Sequence, residues 1–156
     1  MKSIAMFQSD TFSLKPHVNE RGVSSDLPLG NDMAAFLKMQ LASVFPFLQI
    51  DDPILEDWGA ILLIKDGDAT YDISINWTPI AHHLDNNWAI QFDKPIGCLA
   101  ALFGRKSSPE DSNPMIERVR QILEANPNMF KNVVWLSDAE FRRVCQEKSP
   151  RPRAEP

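Results

Sequence analysis

The sequence predicts an α+β domain in which an antiparallel sheet of four to five strands carries two main helices packed on one face. Three observations point to that class. Lys65-Asp66-Gly67-Asp68 holds an Asp-Gly pair suited to positive φ in a tight turn, and beyond it Tyr71, Ile73, Ile75 and Trp77 alternate with Asp72, Ser74 and Asn76. A second run, Trp88, Ile90 and Phe92 against Ala89, Gln91 and Asp93, repeats the period of two. Two longer runs instead space their apolar residues by three and four, the period of an amphipathic helix.

The elements follow in order. Between residues 3 and 14, Ile4, Met6, Phe12 and Leu14 fall in one phase and Phe7 in the other, which reads as a frayed first strand or hairpin. Residues 15–30 carry Pro16, Gly22, Pro28 and Gly30 at intervals too short for a regular element, so they read as loop. Asn31 or Asp32 then caps a helix whose Met33, Leu37, Leu41 and Val44 share a stripe that Phe36 and Phe45 widen, with Pro46 closing it. Asp51, Asp52, Pro53, Ile54, Leu55, Glu56 and Asp57 read as an acidic, turn-rich connector. The unbroken apolar run from Ala60 to Ile64, just after Trp58, reads as a strand covered on both faces.

With the hairpin strand at 71–77 and the strand at 88–92, short links make an antiparallel meander. Residues 96–103 are compatible with a strand or with a short buried helix. Asn113 as N-cap and Pro114 at the first helical position open a second main helix, whose Met115, Ile116, Val119, Ile122 and Leu123 share a face. Val133 to Leu136 read as a last strand, and Ser137 with Glu140 is a capping-box signature for a short helix from Asp138 to Cys145. The expected order is a frayed strand, helix, three strands, a strand-or-helix segment, helix, strand and short helix. Residues 1–148 are expected to form a single domain, and 149–156, with three prolines in eight residues, a disordered tail.

Composition narrows the function. Apolar residues make up 44% of the chain and include four Trp and nine Phe, enough for a core without staples. The net charge of −5 is uneven: residues 1–141 carry eleven bases against nineteen acids, a balance of −8, while Arg142, Arg143, Lys148, Arg151 and Arg153 crowd the last fifteen positions. A body of that sign repels phosphate backbones, which disfavours nucleic acid as a partner and steers in a cationic one. Cys98 and Cys145 lack metal-ligand spacing and read as idle thiols. The first residues lack the blocks of a signal peptide and no apolar stretch is long enough to span a bilayer, so the cytoplasm is the expected address.

Candidate sites are few. His82, His83 and Asp85 are the one cluster resembling metal ligands; adjacent side chains diverge and no further ligand sits three or four residues away, so solvated loop histidines are the stronger reading. Isolated Gly59, Gly67, Gly97 and Gly104 build no phosphate-cradling loop, and no serine or cysteine stands in a nucleophile context. No catalytic residue and no cofactor is therefore expected. Asp51, Asp52, Glu56 and Asp57, together with Asp66, Asp68 and Asp72, are candidates for a negative surface facing a basic protein, against a plainer reading as a solvated rim. Trp58, Trp77, Trp88 and Trp135 all fall on expected strands, where core packing outweighs a ligand pocket.

The succession Trp58-Gly59, Tyr71-x-Ile73-x-Ile75, Trp88-x-Ile90-x-Phe92, Leu102-Phe103-Gly104-Arg105 and Val133-Val134-Trp135 resembles a loosely defined group of small bacterial α+β proteins without assigned activity. The resemblance covers about half the chain and rests on core positions, so it implies a fold and no catalytic residues. In size and acidity the chain is also similar in character to immunity proteins that neutralise bacterial toxins. The expectation is a non-enzymatic protein-binding domain, with such an immunity protein as one form and a basic toxin or effector as its partner. Two rivals stand beside it: a small-molecule or metal-binding protein or minor enzyme using a Trp-lined sheet pocket and the His82/His83 loop, and a chaperone or adaptor for a secreted effector.

Overall fold

Strand pairing is organised around the Asp66-Gly67 turn. Gly67 takes φ of +61° and Asp66 pairs with Ala69, so Gly67 and Asp68 form a two-residue loop joining β4 (Gly59–Asp66) to β5 (Ala69–Trp77). The computed structural model describes residues 1–13, 29–78, 87–92 and 113–147. Within them β1 (Ile4–Gln8), β2 (Gln49–Ile50), β3 (Ile54–Glu56), β6 (Asn87–Phe92) and β7 (Lys131–Leu136) complete a seven-stranded antiparallel sheet. Its order is β2-β4-β5-β6-β1-β7, with β3 pairing β4 on the same side as β2. Three helices are described: α1 (Asn31–Val44), α2 (Pro114–Ala125) and α3 (Asp138–Glu147).

The α+β class agrees with the expectation, and the strand count exceeds it. Four to five strands were expected because residues 51–57 look like a connector; the structure makes Ile54–Glu56 a strand and adds Gln49–Ile50. Pro53 between them lacks an N–H, so the edge of the sheet is cut into two short pieces. Leu14, residues 79–86 with His82, His83 and Asp85, residues 96–103, and the 149–156 tail lie outside the described residues.

One face of the sheet is the core. Ala60, Leu62 and Ile64 stand opposite Ile75, Ile73 and Tyr71; Ile73 and Ile75 stand opposite Phe92 and Ile90. All but half-buried Tyr71 are buried. Met33, Ala34, Leu37 and Leu41 of α1 and Met115, Ile116, Val119, Ile122 and Leu123 of α2 cover this face. Each such side chain removed from water contributes about 1.5–3 kcal/mol, so the register is firmly held. The Ala60–Ile64 run is covered on one side only, since Ile61 and Leu63 remain half-exposed on the other. That second face is partly wet, with Asp72 and Asn76 half-exposed but Ile4, Ser74 and Ala89 buried.

The first strand is interior, contrary to the frayed strand expected. β1 lies between β6 and β7, and its phase is inverted: Ala5 and Phe7 face the core opposite Ile90 and Trp88, while Ile4 and Met6 face away. The expected phase arose because Phe12, beyond the strand, was counted with it. Phe12 instead joins Phe7, Phe36 and Phe130 in a ring cluster with centroids 5.0–5.9 Å apart, closing one end of the core. β7 begins two residues earlier than expected. Asn132, at φ of +55°, makes a bulge there and donates a 2.7 Å hydrogen bond to Gln8 Oε1.

Helix ends show which local signals hold. Asn113 Oδ1 accepts from Met115 N at 2.9 Å, with Pro114 next to it, as the sequence predicts. Ser137 N donates to Glu140 Oε2 at 2.7 Å and Glu140 N to Ser137 Oγ at 3.3 Å, closing the capping box of α3. The start of α1 differs. Its N-cap is Gly30, at φ of +69°, while Asp32 Oδ2 accepts from Ser13 N at 2.7 Å and so ties the segment after β1 to the helix. A Cβ on Gly30 would stand 2.9 Å from Trp88 Cζ3 and 3.1 Å from Ile75 Cγ2. The absent side chain lets the helix start sit directly on the sheet.

Two outcomes follow. Gly30→Ala is expected to destabilise the chain by about 2–4 kcal/mol, from left-handed strain plus overpacking, and Gly67→Ala by about 1 kcal/mol, because a Cβ at Gly67 meets nothing within 4 Å. Urea unfolding measures both, and an equal cost at the two sites would contradict the packing described. The second concerns Glu140, whose carboxyl is held below its ordinary range chiefly by the Ser137 backbone N–H and then by the Ser137 hydroxyl. A lowered carboxylate stabilises above its unfolded pKa and loses that contribution as pH falls through the folded value. Amides of α3 are therefore expected to lose exchange protection on acidification through the Glu140 titration. Ser137→Ala removes the hydroxyl but keeps the backbone N–H, so it should move that titration only part of the way up, as read by carboxyl NMR.

Candidate functional site

The outer side of β4 ends in a two-residue turn. Glu56 pairs with Gly59, so Asp57 and Trp58 form the loop of a β3–β4 hairpin, and Ile54 and Leu55 pair with Ile61 and Ala60. A two-residue loop closes on a hydrogen-bonded pair, and pairs alternate from there. Glu56 and Ile54 thus direct their N–H and C=O groups toward β4, and Leu55 directs its own outward. Upstream, Asp51 N donates to Leu63 O at 3.1 Å, and the Asp51-Asp52-Pro53 link separates this hairpin from β2.

Apolar side chains collect on this edge. Ile54 is 42% exposed, Leu55 38% and Trp58 39%, and they fall within five consecutive residues. Since Ile54 pairs with half-exposed Ile61 and Leu55 with core-facing Ala60, the two extend opposite faces of the sheet. Glu56 and Asp57, both exposed, sit among them, and exposed Asp51 and Asp52 precede them. Lys38 of α1 reaches Asp52 at 2.6 Å. The hydrogen bond and charge of that ammonium hold the Asp52 carboxyl below the usual range. The pair lies open to water and adds little to stability.

Met39, Val44 and Val134 are exposed as well, while the aromatic corner after α1 has internal partners. Phe45 and Phe47, between α1 and β2, hold the Arg118 guanidinium 5.1 Å from each ring centre. The same guanidinium meets Asp66 Oδ2 at 2.9 Å. Phe47, although largely exposed, is thus occupied by a cation–π contact within the chain.

The seven acids singled out by sequence spread along the length of β4. Glu56 and Asp57 lie at its Gly59 end, roughly 25 Å by strand rise from Asp66 and Asp68 in the β4–β5 turn, whereas Asp51, beside Leu63, stands about 10 Å from Asp66. Asp66 is engaged by Arg118, and Asp72, opposite Leu63, is half-exposed on the face away from the helices.

The four tryptophans are also dispersed. Trp58 stands in the turn rather than on a strand, Trp77 and Trp88 are register partners on the core face, and Trp135 stacks on Phe92 beneath the Arg120 guanidinium at 4.7 Å. Trp88 is completely buried, and the indole nitrogens of Trp77 and Trp88 find no hydrogen-bond partner among the described residues. Among the described residues, no group of three or more His, Cys, Asp or Glu is placed to hold a metal ion, and no helix is long and apolar enough to cross a membrane. His82, His83 and Asp85 are outside those residues.

Ile54, Leu55 and Trp58 were not singled out together as a surface by sequence reasoning. The available signal was a short apolar pair placed just before Asp57-Trp58-Gly59 and the apolar run that follows, which is the arrangement of a tight hairpin. No protein-family model, curated protein or solved structure matches the chain.

Proposed function

We propose that this chain is a non-enzymatic domain that binds another protein, a basic one, through the β3 edge. The observation that carries the reading is the grouping of exposed Ile54, Leu55 and Trp58 with Glu56 and Asp57 along one edge of the sheet. Binding energy concentrates in a few apolar anchors, Trp prominent among them, while surrounding charges govern encounter rate and choice of partner. Trp58 and Leu55 are the anchors in this reading. Asp51, Asp52, Glu56 and Asp57, backed by the −8 balance of residues 1–141, are the steering field. A bacterial cytosolic immunity protein that covers the cationic surface of a toxin is the specific form this chemistry suits.

Affinity capture with the full chain, followed by identification of the bound protein, tests the proposal. The captured protein is expected to carry a basic surface and to bind more weakly as salt rises. Trp58→Ala should weaken it by roughly tenfold or more, while Val134→Ala, exposed on the opposite edge of the sheet, leaves it unchanged. All three chains should unfold at similar temperatures. A partner whose affinity is indifferent to Trp58→Ala and to Leu55→Lys would overturn the assignment.

A further inference from the structure

We infer that the outer edge of β3 is a strand-addition site, at which an extended, lysine- or arginine-bearing segment of the partner protein pairs with Leu55. The inference rests on the proposed partner-binding role and specifies how that role is carried out. It begins from backbone geometry. Leu55 directs its N–H and C=O away from β4, and β3 has no strand on its outer side among the described residues. An arriving strand can satisfy those groups, and main-chain pairing of this kind supplies affinity without demanding one side-chain sequence.

Side chains then define what arrives. Ile54 and Leu55 offer apolar contact on opposite faces of the sheet, so an incoming strand meets an apolar cross-strand neighbour whichever way its own side chains alternate. Asp51 and Asp52 precede these two residues and Glu56 and Asp57 follow them, which favours bases at both ends of the incoming segment.

The same charges disfavour a second copy. Two β3 strands paired antiparallel about Leu55 would place Glu56 across from Ile54 and Asp57 across from Pro53. No carboxylate then faces another directly, but those of Asp51, Asp52, Glu56 and Asp57 from both copies crowd one short seam, where their mutual repulsion opposes pairing. The opposite edge of the sheet is built differently. β7 is bulged at Asn132, and its first residue, Lys131, is ion-paired with Asp10 at 3.0 Å, features that discourage strand addition there. The β3 edge is short and ends at Pro53, but within Ile54–Glu56 its pairing with β4 is unbroken.

The test uses short synthetic peptides on the full chain, read by amide chemical shifts. A peptide of alternating Lys and Val is expected to shift the Leu55 amide saturably, with the effect spreading to Ile54 and Glu56. The same peptide N-methylated at alternate residues keeps its charge but cannot pair, and should bind roughly tenfold more weakly or worse. A Glu-Val peptide should not bind. Equal affinity of the methylated peptide would overturn strand addition while leaving the proposed partner-binding edge intact, because charge and apolar contact would then suffice.

Absence of any Leu55 shift up to about millimolar Lys-Val peptide would also overturn it. Partner affinity unchanged by Trp58→Ala and by Leu55→Lys would instead defeat the broader reading. Leu55 shifts that grow with protein concentration alone would place a second copy on the edge and overturn the inference. Shifts that appear in the unliganded chain on Arg151→Glu with Arg153→Glu would assign the edge to the chain's own basic tail, which also overturns it.

Discussion

Leu62 faces Ile73 and Ala60 faces Ile75 across the β4–β5 hairpin, and all four are fully removed from water within the cluster that includes Met33, Leu37 and Leu41. Moving β4 by one residue against β5 would send this set to the wetter face and bring Ile61 and Leu63 inward, at the cost of most of the core. That register decides which side of β4 meets β5 and which is left for other strands. β2 and β3 occupy what remains. Because they are short and separated by Asp51-Asp52-Pro53, the sheet ends in an interrupted border whose last regular piece is Ile54–Glu56.

A second tie fixes the opposite end of the hairpin. Arg118 of α2 meets Asp66 beside the Gly67 turn and lies against Phe45 and Phe47, joining α2, the end of α1 and the β4–β5 turn. Both charges are largely withdrawn from water, so the pair resists screening more than Lys38–Asp52 does. With one end of β4 held by Arg118 and its inner face held by the core, the β3 hairpin is displayed from a stiff support. Stiffness matters for recognition, since a preorganised edge loses less entropy when a partner docks.

Sequence patterning revealed the sheet through strands with one buried face. β5 alternates because Thr70, Asp72 and Asn76 meet water, and α1 and α2 show their stripes for the same reason; β6 is buried on both faces apart from half-exposed Gln91, and its alternation is of large apolar against small or polar residues. β1 was harder to read because Ile4 is as buried on one face as Ala5 and Phe7 are on the other, which leaves five residues with almost no alternation. Gly30 escaped notice as a cap because its role depends on Trp88, fifty-eight positions away, and no local pattern carries that contact. By contrast, Asn113-Pro114 and Ser137 with Glu140 are local devices, and they appear in the structure as written in the chain.

The binding edge was half legible. Asp51, Asp52, Glu56 and Asp57 stood out by charge, but charge alone joined them to Asp66 and Asp68, which the length of β4 separates from Glu56 and Asp57, and to Asp72, which lies across Leu63 from Asp51. Ile54 and Leu55 hid because a three-residue strand after a proline looks like a connector until its partner in β4 is known. Trp58 was assigned to a strand for want of the two-residue turn that exposes it.

Amide hydrogen exchange on the unliganded chain addresses the open edge most directly. Ile54 donates inward to β4 and Leu55 outward, so the expected result is slow exchange at Ile54 and near-solvent exchange at Leu55, its immediate neighbour. Protection of Leu55 equal to that of Ile54 would mean the outer side of β3 is already covered, and the site described above would not exist.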